Sequence, residues 1–397
     1  MQSINAKILA SAVGNKLAVF WQSDIRKVIL LVIGWRFLLV WAMAAIFQKF
    51  PVSHVVYTKQ MPFIHLLQAT MQADSGLYYI IATSWYPNSG LSCLDAFYPL
   101  YPFALRLGDQ AGIGVVFTGF LINLISTAIA SCYLWLLARD YFSSKALAWR
   151  TLFVFLLFPS AVFLAAVYTE SLFCATVFAS MYYLSKRRWL AASLWIGLAT
   201  AIRAPGSILI VVALIHFVRI WLTERKGKPF DRSGLWLLLC PVGIIGTLLY
   251  QYWHQGDALV IIKVYNICWT WRHFNPNVFA TYYSWIYNGV TALLKKNYAA
   301  GMDSLVIVFP WTLGLISVFF LRKERFLFGS FALLNWWLIA SFTTAESANR
   351  YALPIFPIYL LIVDRLPKEY HFLAWITTSA AWFGIWLCVL TTGLWGG

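Results

Sequence analysis

Charge is what this sequence has least of. Asp, Glu, Lys and Arg make up 11% of its 397 residues, where a soluble domain carries about 25%. Too few charged groups remain to build a water-soluble surface. Metal-ligand spacing is also missing: there is no CxxC or HExxH pair, and His54, His65, His216, His254, His273 and His371 are scattered. No Walker A glycine loop or dinucleotide fingerprint follows a strand pattern, so a cytosolic nucleotide-driven mechanism has no visible apparatus. No cofactor is expected. Cysteine is scarce. Cys132, Cys174, Cys240 and Cys388 fall inside apolar runs, where the residue behaves as a small hydrophobe. Cys93 and Cys268 fall in predicted outer loops and would pair only in an oxidising compartment; the expectation is that they stay free. The first 20 residues lack an apolar core before a small-residue cleavage site, so no cleavable signal peptide is expected.

What is present is apolar. Hydrophobic residues make up 61% and aromatics 18%, with a mean hydropathy of +0.72. The runs reach the roughly 20 residues needed to span a bilayer, and a spanning backbone must satisfy its own hydrogen bonds. Short alternating segments, the mark of a barrel, are not seen. The expected fold is an all-α polytopic membrane protein forming one integral membrane domain. Eleven spans are predicted, at 28–47, 113–138, 151–167, 171–185, 189–203, 207–222, 234–253, 303–321, 326–343, 351–363 and 372–392. Residues 1–27 form a cytoplasmic amino-terminal segment.

The net charge of +16 does not indicate a nucleic-acid partner. The basic residues sit in small clusters between apolar runs rather than along a stripe. With the amino terminus inside, 19 of the 30 fall on inner segments and nine on outer ones, as the positive-inside rule requires. Two outer segments are long, 48–112 and 254–302. Both are rich in aromatics, among them Tyr265, Trp269, Phe279, Tyr283, Trp285 and Tyr287, and such amphipathic stretches lie in the membrane interface. These loops mark the working face.

Six residues stand out there. Asp74 opens the apolar-aromatic stretch Ser75-Gly76-Leu77-Tyr78-Tyr79-Ile80-Ile81-Ala82. It suits a helix N-cap as well as a functional carboxylate, and the two are compatible. Asp95 stands before Ala96-Phe97-Tyr98-Pro99-Leu100-Tyr101-Pro102 and fits a turn residue equally well. Tyr168-Thr169-Glu170-Ser171-Leu172-Phe173 joins two spans almost without a connection, and Tyr168 within it is a candidate for contact with substrate. Glu170 begins a helix, where the dipole favours a negative charge by about 0.3–1 kcal/mol. Arg203 precedes Ala204-Pro205-Gly206 at an outer helix end, a favourable place for a cation. Arg350 precedes a span, where a positive charge opposes the dipole and asks for an anion: Glu346 or a lipid phosphate. Arg36 lies within the first span and must face the bundle or a hydrated cavity. Arg350, Arg203 and Arg36 are candidates for a phosphate site.

The outer-loop aspartate with Tyr-Tyr-Ile-Ile-Ala after it, the Ala-Phe-Tyr-Pro-Leu-Tyr-Pro segment and Tyr-Thr-Glu-Ser-Leu-Phe together resemble one family. They look like the PIG-V family, the second mannosyltransferase of GPI-anchor assembly and its prokaryotic relatives, within the GT-C superfamily. The likeness covers residues 70–210, including Trp195 to Gly206, and continues more loosely to Asn349-Arg350-Tyr351. It implies a GT-C-like bundle and an inverting transfer of mannose, or a similar hexose, from a polyprenyl- or dolichyl-phosphate carrier. The acceptor would be a glycolipid or glycan on the extracytoplasmic side, with Asp74 as catalytic base. The membrane would be a bacterial plasma membrane or the endoplasmic reticulum; the absence of any N-x-S/T sequon leans toward the former. Two departures concern donor and acceptor more than chemistry. Ala73 stands where the family usually has tryptophan, and Ala204-Pro205-Gly206 replaces a polar version. The alternative is a transporter or flippase of lipid-linked sugars, which would more often show internal repeats and paired broken helices; neither is visible.

Overall fold

The computed structural model describes residues 24–50, 66–87, 90–224, 232–270, 273–322, 325–342 and 347–393. Apart from one isolated bridge between Phe274 and Phe342, the regular elements among them are helical. They are α1 (Asp24–Lys49), α2 (Ser75–Ser84), α3 (Leu100–Gln110), α4 (Val115–Phe142), α5 (Lys145–Leu156), α6 (Glu170–Ser185), α7 (Trp189–Ile202) and α8 (Ser207–Glu224). Then follow α9 (Val242–Gln255), α10 (Val260–Cys268), α11 (Val278–Leu294), α12 (Tyr298–Phe320), α13 (Arg325–Ala340), α14 (Ala348–Tyr351), α15 (Pro357–Arg365) and α16 (Glu369–Thr391). Local chemistry sets several ends. Ser144 and Asn277 cap α5 and α11 by accepting from Leu147 and Ala280 N–H. Gly256 closes α9 with φ +73°, a conformation free of strain only for glycine.

Each of the eleven predicted spans coincides with helix, but three are not continuous; the run 234–253 is 3-10 helix to Leu239 and turns at Pro241 into α9. The run 151–167 is apolar throughout, yet α5 stops at Leu156 and short 3-10 turns follow over Pro159–Leu164. Pro159 has no N–H and forces Phe158 into extended backbone, with φ −63° and ψ 141°. The run 351–363 meets the same fate: Pro354 and Pro357 leave only the nine residues of α15 helical. Among the described residues, five segments are long and apolar enough to cross a membrane: Asp24–Lys49, Val115–Phe142, Ala204–Thr223, Arg232–Gln255 and Glu369–Thr391.

The broken segment after Phe158 is buried in the middle of the fold, so its backbone carbonyls need partners. Arg36 supplies two of them. Its guanidinium, fully buried, donates to Leu164 O at 2.5 Å and Ala165 O at 2.9 Å. Asn123 on α4 donates to Ala166 O and Ser171 to Leu164 O. Arg36 therefore faces the bundle as expected, but it braces this segment rather than awaiting a phosphate. α4, α6 and α7 pack in series, α9 lies against α7, and α16 covers the 3-10 turns. The α7–α9 contact runs backbone to backbone: a Cβ on Gly243 would overlap the Gly197 carbonyl oxygen.

The second long outer segment folds into α10 and α11, and α12 begins at Tyr298, earlier than the predicted 303. Phe279, Tyr283, Tyr287, Val290 and Leu294 form an exposed apolar stripe down one face of α11, as an interfacial helix would. One expectation fails here. Cys93 and Cys268 are joined in a disulfide that ties the 3-10 helix Cys93–Ala96 of the first loop to the end of α10. The two residues are 175 apart in sequence, so nothing local foretells their approach. Replacing both by serine is expected to lower stability by about 2–4 kcal/mol, read as a lower melting temperature in detergent. An unchanged melting temperature, with free thiols already titratable in the wild type, would show that the bridge does not form.

Candidate functional site

Two segments broken out of regular helix meet at the site. The first is the turn Gln72-Ala73-Asp74 that opens α2. Ala73 takes φ +46°, rare for a residue with a Cβ, and this aims the next side chain away from its own helix. Asp74 occupies the N-cap position of α2 but its side chain makes no capping hydrogen bond. Oδ2 instead accepts from the Arg350 guanidinium at 2.6 Å. Arg350 arrives on α14, a four-residue helix entered through Ser347 at φ +61°. Strained backbone on both sides of one ion pair is the kind of feature that gathers at functional sites.

Arg350 also has its Nε 3.6 Å from Oε1 of Glu170. That same oxygen accepts from Arg203 at 2.5 Å. The result is an alternating chain of Asp74, Arg350, Glu170 and Arg203, two carboxylates and two guanidiniums gathered from four places in the sequence. Tyrosines pack round it. Arg350 lies 5.3 Å from the ring centres of both Tyr168 and Tyr351, and Arg203 4.8 Å from that of Tyr351. Burial pulls the Arg350 guanidinium down, but the Asp74 carboxylate outweighs it and keeps the group well above its ordinary value. A crevice beside the chain is lined by Glu170, Arg203, Asn335, Arg350, Tyr351 and Pro354, among others.

Exposure separates the two carboxylates. The Asp74 side chain is 24% exposed and Glu170 3%. Only Asp74 is open to an incoming hydroxyl, and its Oδ1 has no hydrogen-bond partner among the described residues. Tyr168 is buried and does not face the crevice. Its hydroxyl donates to Gln72 O at 3.0 Å and accepts the Asp74 N–H at 3.1 Å, so it clamps the strained turn from both sides of Ala73. Burial holds its phenol well above the usual range, so the donated proton stays in place.

Of the six sequence candidates, the fold thus gathers Asp74, Tyr168, Glu170, Arg203 and Arg350 and leaves out Asp95. That residue forms a capping box with Ser92, taking the Ser92 N–H on Oδ2 at 2.9 Å, and accepts from Gln255 on Oδ1 at 3.4 Å. The turn reading fits it. Glu346, offered as a partner for Arg350, lies outside the described residues; the anion found at 2.6 Å is Asp74. Two amides escaped the sequence reading. Asn349 is buried with Oδ1 on the Arg350 N–H and Nδ2 unpartnered among the described residues. Asn335 lines the crevice and donates to Phe331 O. An amide inside an apolar run, as in Leu333-Leu334-Asn335-Trp336-Trp337, is costly in lipid and marks a helix face turned inward. No three His, Cys, Asp or Glu side chains among the described residues come together as metal ligands would.

Comparison with known proteins bears on the same region. Residues 65–224 match the family model described as Mannosyltransferase (PIG-V). GPI mannosyltransferase 2 of Schizosaccharomyces pombe is 28% identical over 173 residues, covering 39% of this chain and 37% of its own length. The chain thus spans well under half of that curated relative. Among solved structures, ArnT from Cupriavidus metallidurans bound to undecaprenyl phosphate superposes with a TM-score of 0.53 at 11% identity, covering 93% of this chain and 76% of that one. At that identity the likeness is one of fold. The resemblance read from the sequence is borne out over residues 65–224, which carry Asp74, Tyr168, Glu170 and Arg203 and match the PIG-V model, within a helical membrane fold like that of ArnT.

Proposed function

We propose that this chain is an inverting glycosyltransferase. It moves a mannose or similar hexose from a polyprenyl- or dolichyl-phosphate carrier to a glycolipid or glycan acceptor on the extracytoplasmic side of its membrane. The observation that carries the reading is the Asp74–Arg350–Glu170–Arg203 chain, with a single exposed carboxylate at its open end. Inversion needs one base on the face opposite the leaving group. Asp74 Oδ1 takes the acceptor hydroxyl proton as the hydroxyl oxygen bonds to the anomeric carbon. The bond from that carbon to the phosphate oxygen breaks, and its electron pair leaves with the lipid phosphate. A phosphate leaves well without a strong acid, but the charge it gathers needs fixed donors. Arg350 and Arg203 are the cations at hand, and the unpartnered Asn349 Nδ2 is a further donor.

The side of the membrane is part of the proposal. The basic residues favour a cytoplasmic amino terminus, which puts both long loops outside. The Cys93–Cys268 bridge links those two loops and suits an oxidising compartment. The test is transfer of labelled mannose from polyprenyl-phosphate-mannose by the purified chain. Transfer to a mannose-containing acceptor, strongly slowed by Asp74→Asn, is expected. Binding or movement of the lipid-linked sugar with no glycosidic bond formed would favour the transporter alternative instead.

A further inference from the structure

A second cluster sits at the other end of α2. From Asp74 to Trp85 is 11 residues of helix and cap, about 16 Å at 1.5 Å per residue. Trp85 holds φ +66° and ψ −174°, a genuine outlier for so bulky a side chain. Arg106 fixes the helix end beside it, donating to Ala82 O at 3.0 Å and Thr83 O at 3.1 Å with its guanidinium carbon 5.4 Å from the Trp85 ring centre. Tyr86 meets Trp85 edge-on at 5.2 Å, and α9 brings Tyr250 within 6.0 Å of Trp85 and 5.6 Å of Tyr86. One turn on, His254 stacks on Tyr250 at 5.5 Å with the rings nearly parallel.

Three polar atoms in this cluster are buried without a hydrogen-bond partner among the described residues: the Tyr250 hydroxyl, Oε1 of Gln251 and Nε2 of His254. Gln251 is 4% exposed; its Nε2 donates to Asp95 O at 3.2 Å, but its Oε1 has no partner among the described residues. The same holds for Nε2 of His254. An orphaned buried polar atom is costly, and folded proteins leave few of them. Three within five residues of one helix, whose Tyr250 meets the strained Trp85, point to a ligand that completes them.

The chemistry limits what that ligand is. The nearest charged groups already use their hydrogen bonds on the protein: Asp95 accepts from the Ser92 N–H and Gln255, and Arg106 donates to two carbonyls. The orphaned atoms themselves are all neutral groups. What remains is a hydrogen-bond acceptor on Gln251, a ring nitrogen on His254, the Tyr250 hydroxyl and the half-buried rings of Trp85 and Tyr250. That set suits a neutral ring bearing hydroxyls on its edge and C–H groups on its face, which is a hexopyranose. We infer that Trp85, Tyr86, Tyr250, Gln251 and His254 form a second sugar subsite that holds a hexose of the acceptor glycan, several units from the one attacked at Asp74. Only the word acceptor rests on the sugar-transfer reading. The bracing of this loop by Gln255, which donates to Pro87 O at 3.0 Å, and by the Cys93–Cys268 bridge keeps the platform preformed.

The test measures binding apart from turnover. The purified full chain is titrated with α-linked mannotriose, as wild type, Asp74→Asn, His254→Phe and Gln251→Leu, with melting temperatures confirming that each is folded. His254→Phe keeps the ring stack and removes the nitrogen. Wild type and Asp74→Asn are expected to bind alike, while His254→Phe and Gln251→Leu each bind about tenfold more weakly. Equal affinity in folded His254→Phe and Gln251→Leu, or no binding by wild type, overturns the subsite even if the enzyme transfers mannose. Binding with the expected losses but no transfer by wild type upholds the subsite and overturns the function proposed for Asp74.

Discussion

Asp74→Asn is expected to lower turnover by about 10²–10⁴, the range for removing an acid–base group, while leaving the fold and the affinity for lipid-phosphate-sugar near wild type. Asparagine keeps the shape of the side chain and caps helices as well as aspartate does. The structure sharpens the test. Asp74 makes no side-chain cap in the first place, so a loss of activity cannot be laid to a weakened α2. The amide still offers an oxygen to Arg350 but cannot take a proton from an acceptor hydroxyl. Steady-state transfer with saturating donor and acceptor, beside a donor-binding titration, checks both halves. A turnover within about threefold of wild type would end the assignment of Asp74 as base. Glu170, the other carboxylate of the chain, is too buried to replace it without rearrangement.

Arg350→Gln is expected to lower kcat/KM for the donor by about 10²–10³, comparable to removing one preorganised donor from a site of developing charge. Two effects combine. The leaving phosphate loses a cation, which raises KM, and Asp74 loses the partner that orients it at 2.6 Å, which lowers kcat. Lysine is not expected to rescue, because the guanidinium bridges two carboxylates and lies against two tyrosine rings, a geometry that a point charge cannot copy. Folding should survive, since Glu170 keeps Arg203 at 2.5 Å. A folded Arg350→Gln protein with kcat/KM within threefold of wild type would remove Arg350 from the site.

Much of the candidate site was legible because its residues break local rules. Arg350 at a helix start opposes the dipole, and Glu170 in an almost absent loop has nowhere to go but inward. What could not be read was which partner each would find. Arg350 was assigned Glu346 or a phosphate; the fold gives it Asp74, 276 residues away. Tyr168 was read as touching substrate, whereas its buried hydroxyl clamps the turn before Asp74. Asp95 read as a turn residue or a substrate contact, and the capping box with Ser92 fits the turn.

The sequence by itself determined that the chain is a helical membrane bundle, because so few charges and such long apolar runs leave the backbone no other way to satisfy itself in lipid. The interruptions at Pro159 and before Pro357 were also present in it, since proline acts within its own turn, although the apolar runs 151–167 and 351–363 read as unbroken spans. The tertiary structure alone decided what those interruptions are for. A broken helix exposes carbonyls that need donors, and only the packing of α1 and α4 shows that Arg36 and Asn123 provide them. It alone joined Cys93 to Cys268 and set the four charges in an alternating chain. Contacts between residues hundreds of positions apart depend on how whole helices pack, and no local pattern of side chains encodes that.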